Sequence, residues 1–534
     1  MAIFKRKDKM VATNEFDQVI VGTSLTKEAW KRLRKNKLAV LGGIIVIIYS
    51  LVAIFADFLP LYPYDEAIPD HKNLRPSLTR TAGDLMLEQE MKNLFFQAYR
   101  RGRLPVDEEE AAMLEDWVAN NKTNDVWDFV YQRGMECIAD GTFEWNSSEQ
   151  RRIDRMLDDI ETETQITINE VSVINEDGSR TNIEAMGYEE LRDLYASLLG
   201  VDLTVLEESL YNEVRAAVSN QLRTNDSTLS GEDLDAAIEL EMTGLGDEGI
   251  HDRAMTNLIG YIEQLAQRGA NSDINAMIRE GSMQFPYKGT FDLSNGLHVE
   301  LEVTKMHERR YIFGTDYLGR DLLSRIIYGS QVSIAVGLIG TVTSILIGIL
   351  VGSIAGYVGG KVDYYLMRFV DIMYGLPYML LVIICMAIFG RKITNLYFAL
   401  AIVSWLTIAR MVRGQIMSLK NQEYVEAARS MGVSTFSIIM HHMIPNSLSI
   451  IIVYSTIRIP NFIMQESFLS FLGLGVQAPL ASWGSLIGDA VSSMALYPYK
   501  LIIPSIIMVI FLFSMNFLGD GLRDAFDPQS KNQL

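Results

Sequence analysis

The sequence has 534 residues, of which 49% are hydrophobic and 21% charged, and its formal net charge is −19 at pH 7. So acidic a total excludes a nucleic-acid binder that works through a basic footprint. Two cysteines, Cys137 and Cys385, exclude a disulfide framework, an iron–sulfur site and a cysteine-rich zinc module. The charge is unevenly spread. Residues 61–310 carry 50 acidic and 23 basic side chains, a net of −27, and the remainder carries a net of +8. An acidic block is therefore set inside a basic, apolar chain.

In chain order, residues 1–37 read as a cytoplasmic N-terminal segment that ends in KRLRKNK (31–37). Residues 38–60 (LAVLGGIIVIIYSLVAIFADFLP) hold one charge, Asp57. At a rise of 1.5 Å per residue this stretch spans about 34 Å, enough to cross a hydrocarbon core about 30 Å thick. Lys31, Arg32, Arg34, Lys35 and Lys37 precede it, so the positive-inside rule puts the N-terminus in the cytoplasm. The apolar run exceeds the core of a signal peptide and no A-x-A site follows, which favours an anchor over a cleaved leader.

The block 61–310 is too long to be a loop without structure of its own. Residues 107–120, 147–160, 187–199, 204–222 and 231–243 mix spaced apolar positions with carboxylates and read as amphipathic helices. Two stretches read as hairpins: 165–184, with a turn at Asn175-Glu-Asp-Gly178, and 284–304, around Ser294-Asn295-Gly296. The expectation is a mostly helical α+β domain. His71, His251 and His298 lie far apart, so no metal-ligand spacing emerges, and acidic runs such as 107–110 read as solvated faces.

After a pre-membrane segment, 311–330, a membrane core over 331–519 contains five more apolar stretches: 331–357, 366–389, 395–412, 447–469 and 499–519. Six crossings return the C-terminal segment 520–534 to the cytoplasm. The inner connections hold Lys361, Arg368, Arg410, Arg413, Lys420, Arg429 and Arg523, whereas the outer ones offer Arg391, Lys392 and Lys500. That bias agrees with the topology and places residues 61–330 outside the membrane, on the extracytoplasmic side. Gly348, Gly352 and Gly356 fall at i, i+4 and i+8, a small-residue face on which membrane helices approach closely. No G-x-x-x-x-G-K-[ST] occurs, and Gly473-Leu-Gly475 is a lone glycine pair, so ATP binding through a P-loop is not expected.

The connection 413–446 contains EYVEAARSMGVSTFSIIMHHMIPN (423–446). It resembles the EAA motif of binding-protein-dependent ABC importer permeases, with Glu426, Ala427 and Ala428 followed by Gly432. Its ending, His442-x-Ile444-Pro445-Asn446, is similar to the dipeptide/oligopeptide branch; the general motif has Ile where this chain has His442. Small side chains at these positions let two short helices meet closely. Further stretches resemble the same permeases: GTDYLGRDLLSR (314–325), LMRFVDIMYGLPY (366–378), ESFLSFLGLGVQAPLASWG (466–484), NFLGDGLRDAFDP (516–528) and the first crossing through FLPLYPYD. The resemblance covers roughly residues 25–65 and 310–530. The long piece between is a departure, because typical members have a short connection there.

The resemblance implies a mainly α, six-helix type I ABC importer permease carrying an extracytoplasmic insert domain. It implies a cytoplasmic (inner) membrane subunit for di- or oligopeptides, with a second homologous permease beside it, two ABC ATPase subunits below and a peptide-binding protein outside. ATP and Mg belong to the ATPases, so no cofactor, metal or catalytic residue is expected in this chain, whose other contacts are membrane lipid and not nucleic acid. Glu426, Ala427, Ala428, Arg429, Gly432 and Pro445 are the expected ATPase-docking residues. Gly314, Asp316, Gly319, Arg320, Asp321, Arg368, Asp371, Gly519 and Asp520 are structural motif positions, with Arg368 and Asp371 able to pair at i,i+3. Arg458, near the middle of the fifth crossing, reads either as a pathway residue that meets peptide carboxylates or as half of an ion pair with Asp371. Glu466 is the second pathway candidate, and reads more readily as motif structure. The same fold also serves other substrates, nickel chelates or oligosaccharides, and a membrane-anchored sensor acting through the outer domain is the alternative from a different class. The insert itself either docks the binding protein or caps the outer face.

Overall fold

The computed structural model describes residues 25–175, 178–225 and 230–526. Residues 1–24 of the N-terminal segment, Glu176 and Asp177 of the first hairpin turn, and residues 527–534 of the C-terminal segment lie outside the described residues. The chain divides into two compact units, one of residues up to Thr79 together with Tyr311 onward, the other Arg80–Arg310.

The second unit is the acidic block, but it starts at Arg80 rather than at residue 61. Residues 61–79 belong to the first unit because their backbone is hydrogen-bonded there. Asn73 N donates to Asp316 O (2.9 Å), Ser77 N to Tyr311 O (3.0 Å) and Thr315 N to Leu74 O (3.0 Å).

Arg80–Arg310 has two apolar cores. Helices Ala82–Arg100, Glu108–Ala119 and Thr123–Ala139 surround Phe95, which is fully buried and lies 4.4 Å from the Trp145 ring. Thr81 and Asp84, and again Asp107 and Glu110, form reciprocal capping boxes that start two of these helices. The first and third of them were not expected. The other core lies under a four-stranded antiparallel sheet of β1 (Thr164–Ile174), β2 (Arg180–Asn182), β3 (Tyr287–Asp292) and β4 (His298–Lys305) in the order β2-β1-β4-β3. Both expected hairpins are present. They merge because β1 pairs with β4, setting Ile166 opposite Val303 and Val171 opposite Val299. Helices Tyr188–Leu199, Leu203–Asn225 and Gly231–Arg279 pack on it, and the last of these breaks at Gly246 (φ 64°). Beyond the break the helix runs far past the expected residue 243. Ala254, Leu258, Ile262, Ala266, Ala270 and Ile274 recur on its buried stripe.

Among the described residues of the first unit, Lys37–Ile54, Leu322–Val358, Ile393–Leu419 and Tyr499–Phe526 are long and apolar enough to cross a membrane, and two bent helix pairs bring the number to six when each pair is taken as one span. The first span is shorter than residues 38–60 and gives way to a 3₁₀ turn at Ala56–Phe58. The second begins at Leu322, inside the expected pre-membrane segment, because Asp321 caps it by accepting from Ser324 N (2.9 Å). The third, expected as one helix over 366–389, is broken: Gly360–Tyr374 and Tyr378–Phe389 meet at 85°. Pro377 lacks an N–H and disfavours helical geometry at the residue before it, so the helix ends at the Gly375-Leu376-Pro377 step. Thr435–Leu448 and Ile450–Phe471 meet at 63° to form the fifth.

The glycine stripe of the second span faces the fourth. A Cβ at Gly348 would lie 2.5 Å from Ile408 Cγ2, and one at Gly352 2.5 Å from Ala409 O. These positions admit no larger residue without separating the two helices.

Candidate functional site

The EAA-like segment forms a short helix, Glu423–Ser430, a turn, the helix Thr435–Ile438 and a π-turn, Ile439–Met443, that leads into Ile444–Phe471. Val425 and Ala428, three residues apart, are buried with Ile438 and Met443 against Tyr357, Ile408, Val412 and Ile416. The opposite face is open: Glu426, Ala427 and Arg429 are exposed, with Tyr424, Met431 and Phe436 beside them. Phe436 is 72% exposed and Met431 75%, an unusual position for two large apolar side chains on a polar loop. The Arg429 guanidinium lies 5.7 Å from the Tyr357 ring. Pro445 is exposed where the π-turn passes into the fifth span.

Gly432 corrects one expectation. It has φ +79°, and no atom stands within 4 Å of the place a Cβ would occupy, so close helix–helix approach is not why glycine is there. Its N–H donates to Arg429 O (3.0 Å) and Val433 N–H donates to Ala428 O (3.1 Å). That pair is a Schellman cap, which needs a left-handed residue at this position.

The charged motif residues of the third span also sit differently from expectation. Asp371 pairs with Arg410 (2.6 Å) on the fourth span rather than with Arg368 or Arg458. The Arg368 guanidinium instead lies over the Tyr364 ring, 5.5 Å from its centre. Asp363, not singled out from the sequence, receives two hydrogen bonds from Arg413, from Nε and from Nη2. The reason is geometric: the third span packs along the fourth, so its carboxylates meet arginines 39 and 50 residues away.

Asp316 is buried and receives Arg320 Nε (2.8 Å) and Arg325 Nη1 (2.6 Å) on one oxygen, and the N–H groups of Leu318 and Arg320 on the other. Gly314 and Gly319 have φ of +78° and +82°, and a Cβ at Gly319 would overlap Ile68 O. Lys500 Nζ donates to Asn73 Oδ1 (2.7 Å) and Tyr499 Oη to Leu74 O (2.9 Å), so the segment clamps 61–79 to the start of the last helix. Gly519 is buried beside the Thr456 and Ile457 side chains, and Asp520 is exposed.

Glu466 is fully buried, which removes it from a solvent-facing pathway here. It accepts from Ser470 Oγ and Ser482 Oγ, each at 2.6 Å. Ser482 caps the short helix Trp483–Val491, so Glu466 positions that helix. Arg458 is half-buried and makes no hydrogen bond or ion pair among the described residues. Tyr378 Oη donates to Gln465 Oε1 (2.6 Å) and lies 3.1 Å from Ser404 Oγ. Tyr454, Arg458, Asn461 and Gln465 recur at helical spacing along one face of the fifth span, a stripe that the 3.6-residue period could have exposed in the sequence. Among the described residues, no group of three or more His, Cys, Asp or Glu could hold a metal ion.

Two family models match the chain. The binding-protein-dependent transport system inner membrane component covers residues 348–532, and the N-terminal TM domain of oligopeptide transport permease C covers 24–76. The oligopeptide transport system permease protein OppC of Haemophilus influenzae is 47% identical over 224 residues, which is 42% of this chain and 72% of that protein. The dipeptide transport system permease protein DppC of Bacillus subtilis is 43% identical over 218 residues, 41% of this chain and 68% of that protein. A solved structure of the MetNI methionine ABC transporter, inward facing, is 19% identical with a TM-score of 0.32 and covers 38% of this chain and 96% of that one. Neither family model reaches Arg80–Arg310. With its apolar helices and 47% identity over 72% of a permease, the chain is a multi-pass inner-membrane protein and belongs to the binding-protein-dependent transport system inner membrane components.

Proposed function

We infer that this chain is the permease subunit of an ATP-driven importer of di- or oligopeptides, working with a second homologous permease, two ABC ATPases that hold ATP and Mg, and an extracytoplasmic peptide-binding protein. The names of the relatives support the substrate class. One observation carries the coupling: the capped helix Glu423–Ser430 presents Glu426, Arg429, Met431 and Phe436 outward while Val425 and Ala428 rest on the fourth span. ATP-driven closure of the ATPases pushes on the open face. The buried face passes that push to Val412 and Ile416 of the fourth span and to Tyr357 at the end of the second. The π-turn and Pro445 lead straight into the fifth span, so the same movement reorients the helix that bears Arg458.

This coupling is mechanical, and hydrolysis takes place on the ATPase chains. Both termini lie on the cytoplasmic side and residues 61–330 on the other, supported by the basic inner connections and by the net of −27 on 61–310. Phe436→Glu in the assembled transporter tests the reading. Loss of a central aromatic anchor should weaken ATPase co-purification by about tenfold or more, and peptide uptake with it. Undiminished co-purification and uptake would remove the docking assignment.

A further inference from the structure

We propose that Arg458 is the point in the translocation path that receives the carboxylate of the passing peptide, a specificity-determining contact that rests on the peptide-permease reading above. Four observations carry it. Tyr454, Arg458, Asn461 and Gln465 stand at i, i+4, i+7 and i+11, which places them on one face of the helix. Ile463, on the opposite side of the helix from Tyr454, is fully buried, whereas Tyr454 and Asn461 are exposed. Tyr378, which opens the second limb of the bent third span, donates to Gln465 and so ties the bend to the stripe. Finally, Asp371, the ion-pair partner the sequence offers Arg458, and Glu466 are each held by other groups. Asp371 holds Arg410, and Glu466 lies buried between two serine hydroxyls.

A guanidinium among membrane spans is costly unless water or an anion meets it. Its planar fork matches a carboxylate with two parallel hydrogen bonds, and hydroxyl and amide groups beside it complete a polar ring. A linear peptide carries one terminal carboxylate whatever its sequence or length. Recognition there admits many peptides while rejecting uncharged solutes. A lipid phosphate and an acidic side chain of the second permease are the other anions that could meet Arg458, and both are distinguishable.

The test uses the assembled transporter with its binding protein, as wild type, Arg458→Gln and Arg458→Lys, at measured membrane abundance. Initial uptake is compared for a tripeptide and its C-terminal amide. Arg458→Gln should lower tripeptide uptake about tenfold and leave amide uptake within about twofold, and Arg458→Lys should recover most of the loss. The binding protein is the same throughout, so a changed tripeptide-to-amide ratio belongs to this chain. For a wild type that carries the tripeptide alone, the difference between Lys and Gln at equal abundance decides. Unchanged tripeptide uptake in Arg458→Gln, or a parallel fall of both peptides as a lipid contact would give, overturns the proposal. So does loss of the second permease from the purified complex, which marks an inter-chain ion pair. A wild type that imports no peptide overturns the functional reading instead.

Discussion

Replacing Gly432 separates two reasons for a glycine in the docking loop. The residue has φ +79° with open space around its Cβ position, so a side chain meets no atom of this chain and the penalty lies in the backbone alone. An L-residue in the left-handed region costs roughly 1–2 kcal/mol, with Asn the mildest and β-branched residues the worst. The Schellman cap, formed by Gly432 N–H to Arg429 O and Val433 N–H to Ala428 O, should weaken in the order Asn, Ala, Val. A loss of 1–2 kcal/mol reduces the capped turn's weight by a factor of about 5–30. If the capped turn is the form that docks, affinity for the ATPase falls by at most the same factor. Titrating purified ATPase onto the solubilised permease measures this directly. The discriminating comparison is Gly432→Asn against Gly432→Ala, because Asn is larger but tolerates φ > 0. An ordering by volume, with Asn worse than Ala, would refute the backbone argument and point to a close contact made by the ATPase.

Two other outcomes follow from the geometry. Asp363→Asn should destabilise the third span against the fourth by about 1–3 kcal/mol, since the Arg413 fork then loses its carboxylate in a partly buried site. A lowered Tm of the purified protein reads this out, and partial recovery in Asp363→Arg/Arg413→Asp shows that the pair is responsible. In Arg80–Arg310, the Thr81 backbone N–H, followed by the Thr81 hydroxyl and Arg80, holds the Asp84 carboxyl below its usual range. A depressed folded-state pKa gives stability that is present above the unfolded value of about 3.9 and disappears as pH falls through the folded one. Denaturant unfolding of the isolated unit from pH 6 to pH 3 should therefore fall less steeply in Asp84→Asn. An identical slope in the two proteins would show that Asp84 is not the group responsible.

Much of the membrane half is legible because its signals are local. A run of apolar side chains long enough to span a bilayer, basic residues beside it and glycines four residues apart all act between near neighbours, and the glycine stripe meets the fourth span as its spacing implied. The helix Glu423–Ser430 is legible for the same reason, its buried Val425 and Ala428 being one helical step apart. The break in the third span was also written locally, in Gly375-Leu376-Pro377, but a continuous apolar run across it concealed the turn. In Arg80–Arg310, the alternation of β1 and β4 announces two hairpins and contains no information that one edge strand of each will find the other across more than 120 residues.

By itself the sequence determined the apolar runs, the basic bias between them, the acidic block between the first and second, and the EAA-like segment, since hydropathy, charge bias and turn chemistry depend on a few consecutive residues. Tertiary structure alone decided which carboxylate met which arginine. Asp371 could satisfy Arg368 one turn away, Arg410 or Arg458, and packing of the third span along the fourth selected Arg410. That choice, with the burial of Glu466 between Ser470 and Ser482, leaves Arg458 without a protein partner among the described residues. A charge's partner depends on which helices touch and at what angle, and that geometry belongs to the packed molecule as a whole.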